Sequence, residues 1–519
     1  MEEGVCFLCM SKDCTPCQEC RLVSSCSAHL SLHSYKNSCF PWMVQQVAGL
    51  GKVLVATRDI APREVILHDQ PFGLAPVQNS EPICLQCFQL LEAGSWFECQ
   101  CGFPMCSKRC SEGDRHRLEC RLYRDADAKM ESLQEYQIIM PIRMLRQMEE
   151  NQSWSSQFYN LMDHLEERKA ETENWEISEV QVVAPIREKL KQEKWSADLI
   201  QRCLGVTRTN ASQRSATQVY SKDKSNYSDV GTVRVLHLTM SLMSHSCIPN
   251  CVTLHNPDYT LTVRSMRPVK KGEELTISYT ELLAGRLDRK RDTLHNWFFE
   301  CSCERCLDVT DLGTNFDTHL CSACHGKVLP LDLGMNSQWK CESCHQLMNA
   351  KSIQDAESQL RFMLESGPQG NPIEFYENFL NSKPSRVHKD HSIMMKAKLK
   401  LFMAYENLTS RKELQRKCEL GEELLALFNT ILPGYSDIKG RILYEQSAPS
   451  FLLLQQDLES GSISIDQFSK RLHALSKKVE ECVMCMEGGQ EGSYEKYLEE
   501  KTNQILSSIK EMILFSHFL

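Results

Sequence analysis

Two textures of hydrophobic and polar positions alternate along the chain. Short runs rich in β-branched residues predict strands: KVLVATRDI (52–60), EVILH (64–68), LTVRSM (261–266) and ELTISY (274–279). Between Arg121 and about Lys194 the text turns to charged helical patterns such as MDHLEERKAETENW. From about Ser352 onward it is helical throughout. There Leu414, Cys418, Leu425, Phe428 and Leu432 step by 4, 7, 3 and 4, which places them on one apolar helix face. ILPGY and APS are predicted to break that pattern into an array of antiparallel helices. No uninterrupted apolar run reaches about 18 residues, so no membrane span is predicted.

At 519 residues the chain exceeds one core, and roughly 150 residues per domain suggests three or four units. Net charge is -9, so the field of the whole protein repels nucleic acid and accommodates a basic peptide. Direct DNA binding is disfavoured further because no basic finger helix with base-reading spacing occurs. The opening MEEGVCFLCM is acidic and interrupted by cysteines, unlike a secretory signal. A reducing compartment, cytoplasmic and/or nuclear, is therefore expected for the 27 cysteines, with metal binding favoured over disulfides. Of these, 24 lie at or before Cys344, leaving Cys418, Cys482 and Cys485 in the helical tail. Packing is the expected role of Cys482 and Cys485, since no second pair accompanies them.

Four constellations carry metal chemistry. The first comprises Cys6, Cys9, Cys17, Cys20, Cys26, His29, His33 and Cys39, eight ligands for two tetrahedral Zn²⁺, with Cys14 spare. The second comprises Cys84, Cys87, Cys99, Cys101, Cys106, Cys110, His116 and Cys120, again eight. The third is Cys301, Cys303 and Cys306, one short of a closed site, with Cys247 in SHSCIPNC as the candidate fourth ligand. The last is Cys321, Cys324, Cys341 and Cys344, whose CxxC-x16-CxxC spacing reads as a zinc ribbon. Together 21 cysteines and three histidines make 24 ligands, enough for as many as six Zn²⁺. No open coordination position is evident, so the metals are read as structural. Segments of about 35 residues bury too little apolar surface to fold unaided, and a structural zinc contributes on the order of 10–16 kcal/mol.

The CxxxC and HxxxC steps at Cys106, Cys110, His116 and Cys120 resemble a MYND finger. That resemblance implies interleaved sites, Cys84, Cys87, Cys106 and Cys110 on one ion and Cys99, Cys101, His116 and Cys120 on the other. The first constellation resembles a divergent copy of the same finger. In order, GKVLVATRDI, the finger, a helical insert, SHSCIPNC, VKKGEELTISY and FFECSCERC resemble the SET and MYND domain (SMYD) family, and the duplicated finger and ribbon its arthropod SmydA branch. The fold implied is α+β: a SET-type β core with a pseudoknot, zinc-binding MYND fingers and an all-α TPR-like C-terminal domain. The divisions expected are a MYND-like finger (1–42), the first SET part (43–83), the MYND finger (84–120), a helical insert (121–230), the SET core (231–280), the post-SET motif (281–310), the ribbon (311–350) and the helical domain (351–519). The pseudoknot would bring Cys247 to Cys301, Cys303 and Cys306.

The resemblance further implies methyl transfer from S-adenosylmethionine to a lysine on a protein or peptide, a histone tail among the candidates. Tyr279 would be the catalytic tyrosine. Gly51, Lys52, Ser244, His245 and Phe299 would join it in holding the cofactor. Four positions depart from the family pattern: Val53 replaces a glycine, Ser244 an asparagine, Ser212 a channel phenylalanine and Trp297 a tyrosine. They keep open a second expectation, a zinc-organised adaptor that binds proline-containing peptides or deacetylase complexes.

Overall fold

In a computed structural model, the described residues are 6–8, 12, 14–21, 23–27, 33–35, 38–49, 51–78, 80–92, 94–215, 232–382, 386–406, 408, 410–489 and 493–516. Strand β1 (Trp42–Val47) alternates only in its first half, burying Trp42 and Val44 with Met43 half-buried between them, and both Gln45 and Gln46 are exposed as it nears the turn. Strand β2 (Gly51–Ala56) returns antiparallel, from Val47 opposite Gly51 to Trp42 opposite Ala56. Gly51 sits at φ +81°, where a side chain costs on the order of 1 kcal/mol, and a Cβ there would meet the Met162 methyl at 3.4 Å.

Strands β3 (Val65–Asp69) and β4 (Gly73–Pro76) precede the MYND-like segment, which ends in helix α1 (Asp114–Asp125). The helical insert carries α2 (Tyr136–Glu150) and α3 (Ala197–Asn210). Between them the charged stretch predicted as helix forms short pieces, Leu165–Ala170 and Thr172–Ser178, then π-helical turns at Glu179–Val183 and Pro185–Lys189. There follow β5 (Ser212–Ser215), β6 (Thr232–Leu236), β7 (Ser244–His245), β8 (Cys251–His255), β9 (Leu261–Ser265) and β10 (Thr276–Ile277).

Two three-stranded sheets form, in orders β5-β6-β4 and β8-β9-β3. Strands β7 and β10 pair in parallel, Ser244 opposite Thr276 and His245 opposite Ile277. On its other side the β10 segment reaches β2, where the Leu275 N–H donates to the Leu54 carbonyl at 2.9 Å. Asn250 pins this crossing. Its Oδ1 accepts from the Thr276 N–H at 2.8 Å, and its Nδ2 donates to the Glu274 carbonyl at 2.8 Å. This is the crossing of SHSC and TISY segments that the family resemblance implies. One apolar core runs through the sheets, the insert helices and the finger, including Trp42, Leu54, Phe103, Ile139 and Leu236.

After α4 (Arg286–Trp297) comes a four-stranded antiparallel ribbon built on His319–Leu320, Lys327–Pro330, Trp339–Cys341 and Leu347–Met348. Among the described residues seven helices follow: α5 (Ala350–Glu365), α6 (Pro372–Asn381), α7 (Ser392–Ala404), α8 (Arg411–Ile431), α9 (Asp437–Glu459), α10 (Ile465–Met486) and α11 (Tyr494–Ser516). The long ones pack successively, α8 on α9, α9 on α10 and α10 on α11. ILPGY ends α8 as expected. APS does not break the pattern: Pro449 lies inside α9. Proline removes one backbone donor there, but Pro449 is buried and α9 is held on both sides by its neighbours, so tertiary packing overrides the local cost.

Candidate functional site

The metal ligands are positioned first by short-range backbone geometry. In four places a CxxC is followed by a residue in the left-handed region: Arg21, Phe88, His325 and His345, at φ 54°, 60°, 58° and 63°. In each, that residue's N–H donates back to the first cysteine's carbonyl, at 3.1, 2.8, 2.9 and 3.0 Å for Cys17, Cys84, Cys321 and Cys341. The loop so closed turns both sulfurs to one side. None of the four is glycine, so each knuckle carries a strain on the order of 1 kcal/mol. The shortened C99-Q-C101 solves the same problem differently. Gly102 takes φ +89° and lies against Met130, whose backbone N and O would be 2.9 Å from any Cβ.

These knuckles converge with other ligands into four-donor groups whose atoms all lie within 4.8 Å of one another. The groups include Cys17, Cys20, His33 and Cys39; Cys84, Cys87, Cys106 and Cys110; Cys99, Cys101, His116 and Cys120; Cys247, Cys301, Cys303 and Cys306; and Cys321, Cys324, Cys341 and Cys344. Four sulfurs at 2.3 Å from one Zn²⁺ stand about 3.8 Å apart along a tetrahedron edge. The observed separations match: 3.6 Å for Cys17–Cys39, 3.7 Å for Cys87–Cys106, 3.6 Å for Cys99–Cys120, 3.9 Å for Cys247–Cys301 and 3.5 Å for Cys321–Cys344. They lie far beyond the 2.05 Å of a disulfide. The donor sets thus fit zinc and its tetrahedral geometry. Cys6 and Cys26 lie in the first finger, while Cys9 and His29 fall outside the described residues. Cys251 joins none of these five groups; its Sγ donates to Asn250 Oδ1 at 3.2 Å.

A layer of charge behind the ligands was missed from sequence. His116 Nδ1 lies 3.5 Å from the carboxylate of Glu119, three residues on in α1. Burial works against that carboxylate, but Arg143 and His116 outweigh it and keep its pKa below the ordinary value. Arg143 of α2 ion-pairs with Glu119 and also donates to the Leu74 carbonyl in β4 at 2.6 Å and the Leu85 carbonyl inside the Cys84–Cys87 knuckle at 2.8 Å. At the post-SET tetrad, Arg289 reaches Cys306 Sγ at 3.8 Å and Asp311 at 3.1 Å. Burial opposes its charge, yet Asp311 and the thiols hold it firmly protonated. A His116–Glu119 spacing of three was visible in the sequence; Arg143 and Arg289 carried no comparable signal.

The expected cleft residues form two groups. In one, His245 sits 5.2 Å from the Tyr279 ring and 6.0 Å from Phe299, and Trp297 lies 5.1 Å from Tyr279. His245 Nδ1 accepts the Tyr279 N–H at 3.0 Å, so the imidazole proton is on Nε2, 3.3 Å from Cys247 Sγ. Burial pushes the His245 pKa down to about 4, which keeps that neutral tautomer. The Tyr279 hydroxyl donates to the Met243 carbonyl at 2.6 Å, and burial raises its pKa. The Trp297 indole N–H donates to the Thr209 carbonyl at 2.8 Å. Ser244 Oγ is buried without a hydrogen-bond partner. In the second group, Gly51 faces Met162, and Lys52 Nζ donates to Asn160 Oδ1. Val53 is buried in β2, and Ser212 stands on β5 opposite Val235.

The SET domain family model matches residues 51–280, the stretch that holds the crossing and the tyrosine, so the chain carries a SET domain. Its relatives extend the likeness on both sides. It is 23% identical over 423 residues to the SET domain-containing protein SmydA-8, isoform A, of Drosophila melanogaster, covering 78% of this chain and 87% of that one. To the histone-lysine N-methyltransferase ASHR1 of Arabidopsis thaliana it is 24% identical over 433 residues, 78% of this chain and 85% of the other. To the histone-lysine N-methyltransferase SMYD3 of Mus musculus it is 25% identical over 266 residues, 50% and 60% of the two. The resemblance to SET and MYND domain proteins read from the motifs therefore holds. Among the described residues, no helix is long and apolar enough to cross a membrane.

Proposed function

We propose that the chain is an S-adenosylmethionine-dependent protein-lysine N-methyltransferase. The observation that carries this reading is the assembly of Tyr279, His245 and Phe299 around the Cys247 tetrad, within the stretch matched as a SET domain. The orphaned Ser244 oxygen and the Cβ-free turn at Gly51 support a cofactor between them, with Lys52, the His245 backbone and Phe299 as its other contacts. The bound cofactor supplies an electrophilic methyl group.

The residues of the chain have to deliver a neutral amine. Free lysine has a pKa of about 10.4, leaving roughly one molecule in 2,500 uncharged at pH 7. Apolar walls from Tyr279 and Trp297 disfavour the ammonium form by desolvation. With its proton held by Met243, the Tyr279 oxygen keeps its lone pairs to orient the amine, which is a positioning effect. A net charge of -9 suits a substrate lysine in a basic protein segment, such as a histone tail.

An adaptor that binds peptides through its fingers is the second reading. It is favoured by the Lys52–Asn160 contact across the cofactor turn, the buried Val53 and the engagement of the Trp297 N–H. Calorimetric titration with S-adenosylmethionine separates the two. Tyr279→Phe should cut methyl transfer by about 10²-fold or more, the scale of losing one positioned polar group, while cofactor affinity falls by less. Trp297→Tyr combined with Ser244→Asn should raise activity or affinity at equal zinc content. If neither wild type nor this double variant binds cofactor at millimolar concentration, the adaptor reading stands.

A further inference from the structure

Away from the Tyr279 cleft, a cavity of about 70 Å³ lies between β4, β6, α2, α3 and the Thr172–Ser178 helix with its π-helical continuation. Most of its polar lining is satisfied internally. Gln137 Nε2 donates to the Gln181 carbonyl at 3.2 Å and to its Oε1 at 3.3 Å, and Gln78 donates to the same Oε1 at 3.4 Å. The Thr207 hydroxyl donates to the Cys203 carbonyl at 2.7 Å. Two groups remain, Arg208 and Arg234. Among the described residues, no carboxylate forms an ion pair with either guanidinium.

Arg234 is the harder one to explain as ordinary surface. It sits in β6, the central strand of its sheet. Its neighbours Val233 and Val235 pack with Leu74, Phe88 and Tyr259 on one side. By strand alternation Arg234 shares the other side with Leu236, which belongs to the main core. A cation thus stands on a core-facing side where the pattern calls for an apolar residue. Arg208, the more exposed of the two, is in the last turn of α3, where helix carbonyls favour a positive charge. Glu171 compensates it only at a distance, and Arg168 adds a further positive charge nearby. Burial opposes the charge on Arg234, and Arg208 opposes it again.

Two guanidinium groups without a carboxylate partner among the described residues line one small cavity, and an oxyanion, which arginine binds bidentately, is the ligand class that would balance them. A single water needs about 10–15 Å³ of such cavity space, so about 70 Å³ leaves room for a group the size of phosphate or carboxylate. We propose that the cavity flanked by Arg208 and Arg234 binds a small oxyanion, the phosphate or carboxylate of a small molecule, at a site separate from the methyl-transfer cleft. The inference does not depend on the chain being a methyltransferase.

The test uses the full zinc-loaded chain, titrated with inorganic phosphate or with acetate while chloride holds ionic strength constant. Saturable binding of at least one is expected, and the tighter of the two identifies the source. Arg234→Gln and Arg208→Gln should each weaken it about tenfold or more, the loss of one charge-assisted contact. Arg208→Lys, which keeps the charge and loses the fork, should fall between. In chloride alone, Arg234→Gln should leave the melting temperature unchanged or raise it, because it removes one of two unpaired cations. The proposal is overturned if neither anion binds saturably, if both Gln variants bind like wild type, or if Arg234→Gln lowers the melting temperature by several degrees in chloride, which would make Arg234 a structural group.

Discussion

The cysteines of the SET and finger regions and those of the helical tail are chemically the same side chain under two regimes. In the first, thiol and imidazole donors gather in fours with sulfurs as close as 3.5–3.9 Å, turned together by strained knuckles and steadied by Glu119, Arg143, Arg289 and Asp311. In the second, each stands in a helix interface with a local partner. Cys482 Sγ donates to the Gly440 carbonyl at 3.1 Å, and Cys418 contacts the Ser450 hydroxyl at 3.5 Å. The contrast shows what a metal replaces. The tail packs Leu401, Phe402, Leu424, Phe428 and Ile442 into a large apolar core, which Met266, Leu283 and Phe316 join from outside the tail. The finger instead lends a few residues, Leu85, Phe103 and Met105 among them, to the core it shares with the SET region, and its knuckles are expected to rely on coordination for their order.

Removing metal should break that contrast most sharply. Elemental analysis should find at least four Zn²⁺ per chain, consistent with the five donor groups described. A strong chelator should unfold the region before Ala350, with on the order of 10 kcal/mol lost per site, while circular dichroism retains the helicity of α5–α11. Two or fewer zincs, or collapse of the tail signal with the rest, would contradict the division. The next largest effect separates neighbours. Cys247→Ser should release one zinc and destabilise the SET core, whereas Cys251→Ser, four residues away with its Sγ donating to Asn250 Oδ1, should leave the metal count unchanged. Equal zinc loss from both would erase the distinction. The smallest effect belongs to the tail: Cys482→Ala should cost about 1–2 kcal/mol in denaturant unfolding with no change in zinc. A change in metal content would place Cys482 in the wrong regime.

How much of this was legible in the sequence follows from how local each feature is. A CxxC knuckle needs five residues, so Cys84–Cys87 and Cys321–Cys324 announce themselves by spacing alone. The β7–β10 pairing joins Ser244 to Thr276, too distant for any periodicity, and came from the family order of motifs. The resemblance also supplied the interleaving of Cys99, Cys101, His116 and Cys120, which spacing left undetermined. Pro449 misled because a proline's local cost is visible while the packing that outweighs it is not. Around Glu179 the sequence showed only charged helical patterns, and the breaks into short pieces stayed hidden because π-turns leave no strong mark on hydropathy. Arg143 and Arg234 are ordinary letters in the sequence; only burial makes them unusual.

Arg143 has a consequence in terms of reciprocity. One guanidinium holds a strand of the SET region through Leu74, the Cys84–Cys87 knuckle through Leu85, and the carboxylate beside His116 through Glu119. Linked equilibria run both ways by the same factor. If zinc in the finger steadies β4 through this residue, whatever steadies β4 must tighten the finger's hold on zinc equally. The two regions then share one coupling factor, and a ligand on the SET side would be readable as a lower dissociation constant for metal in the finger.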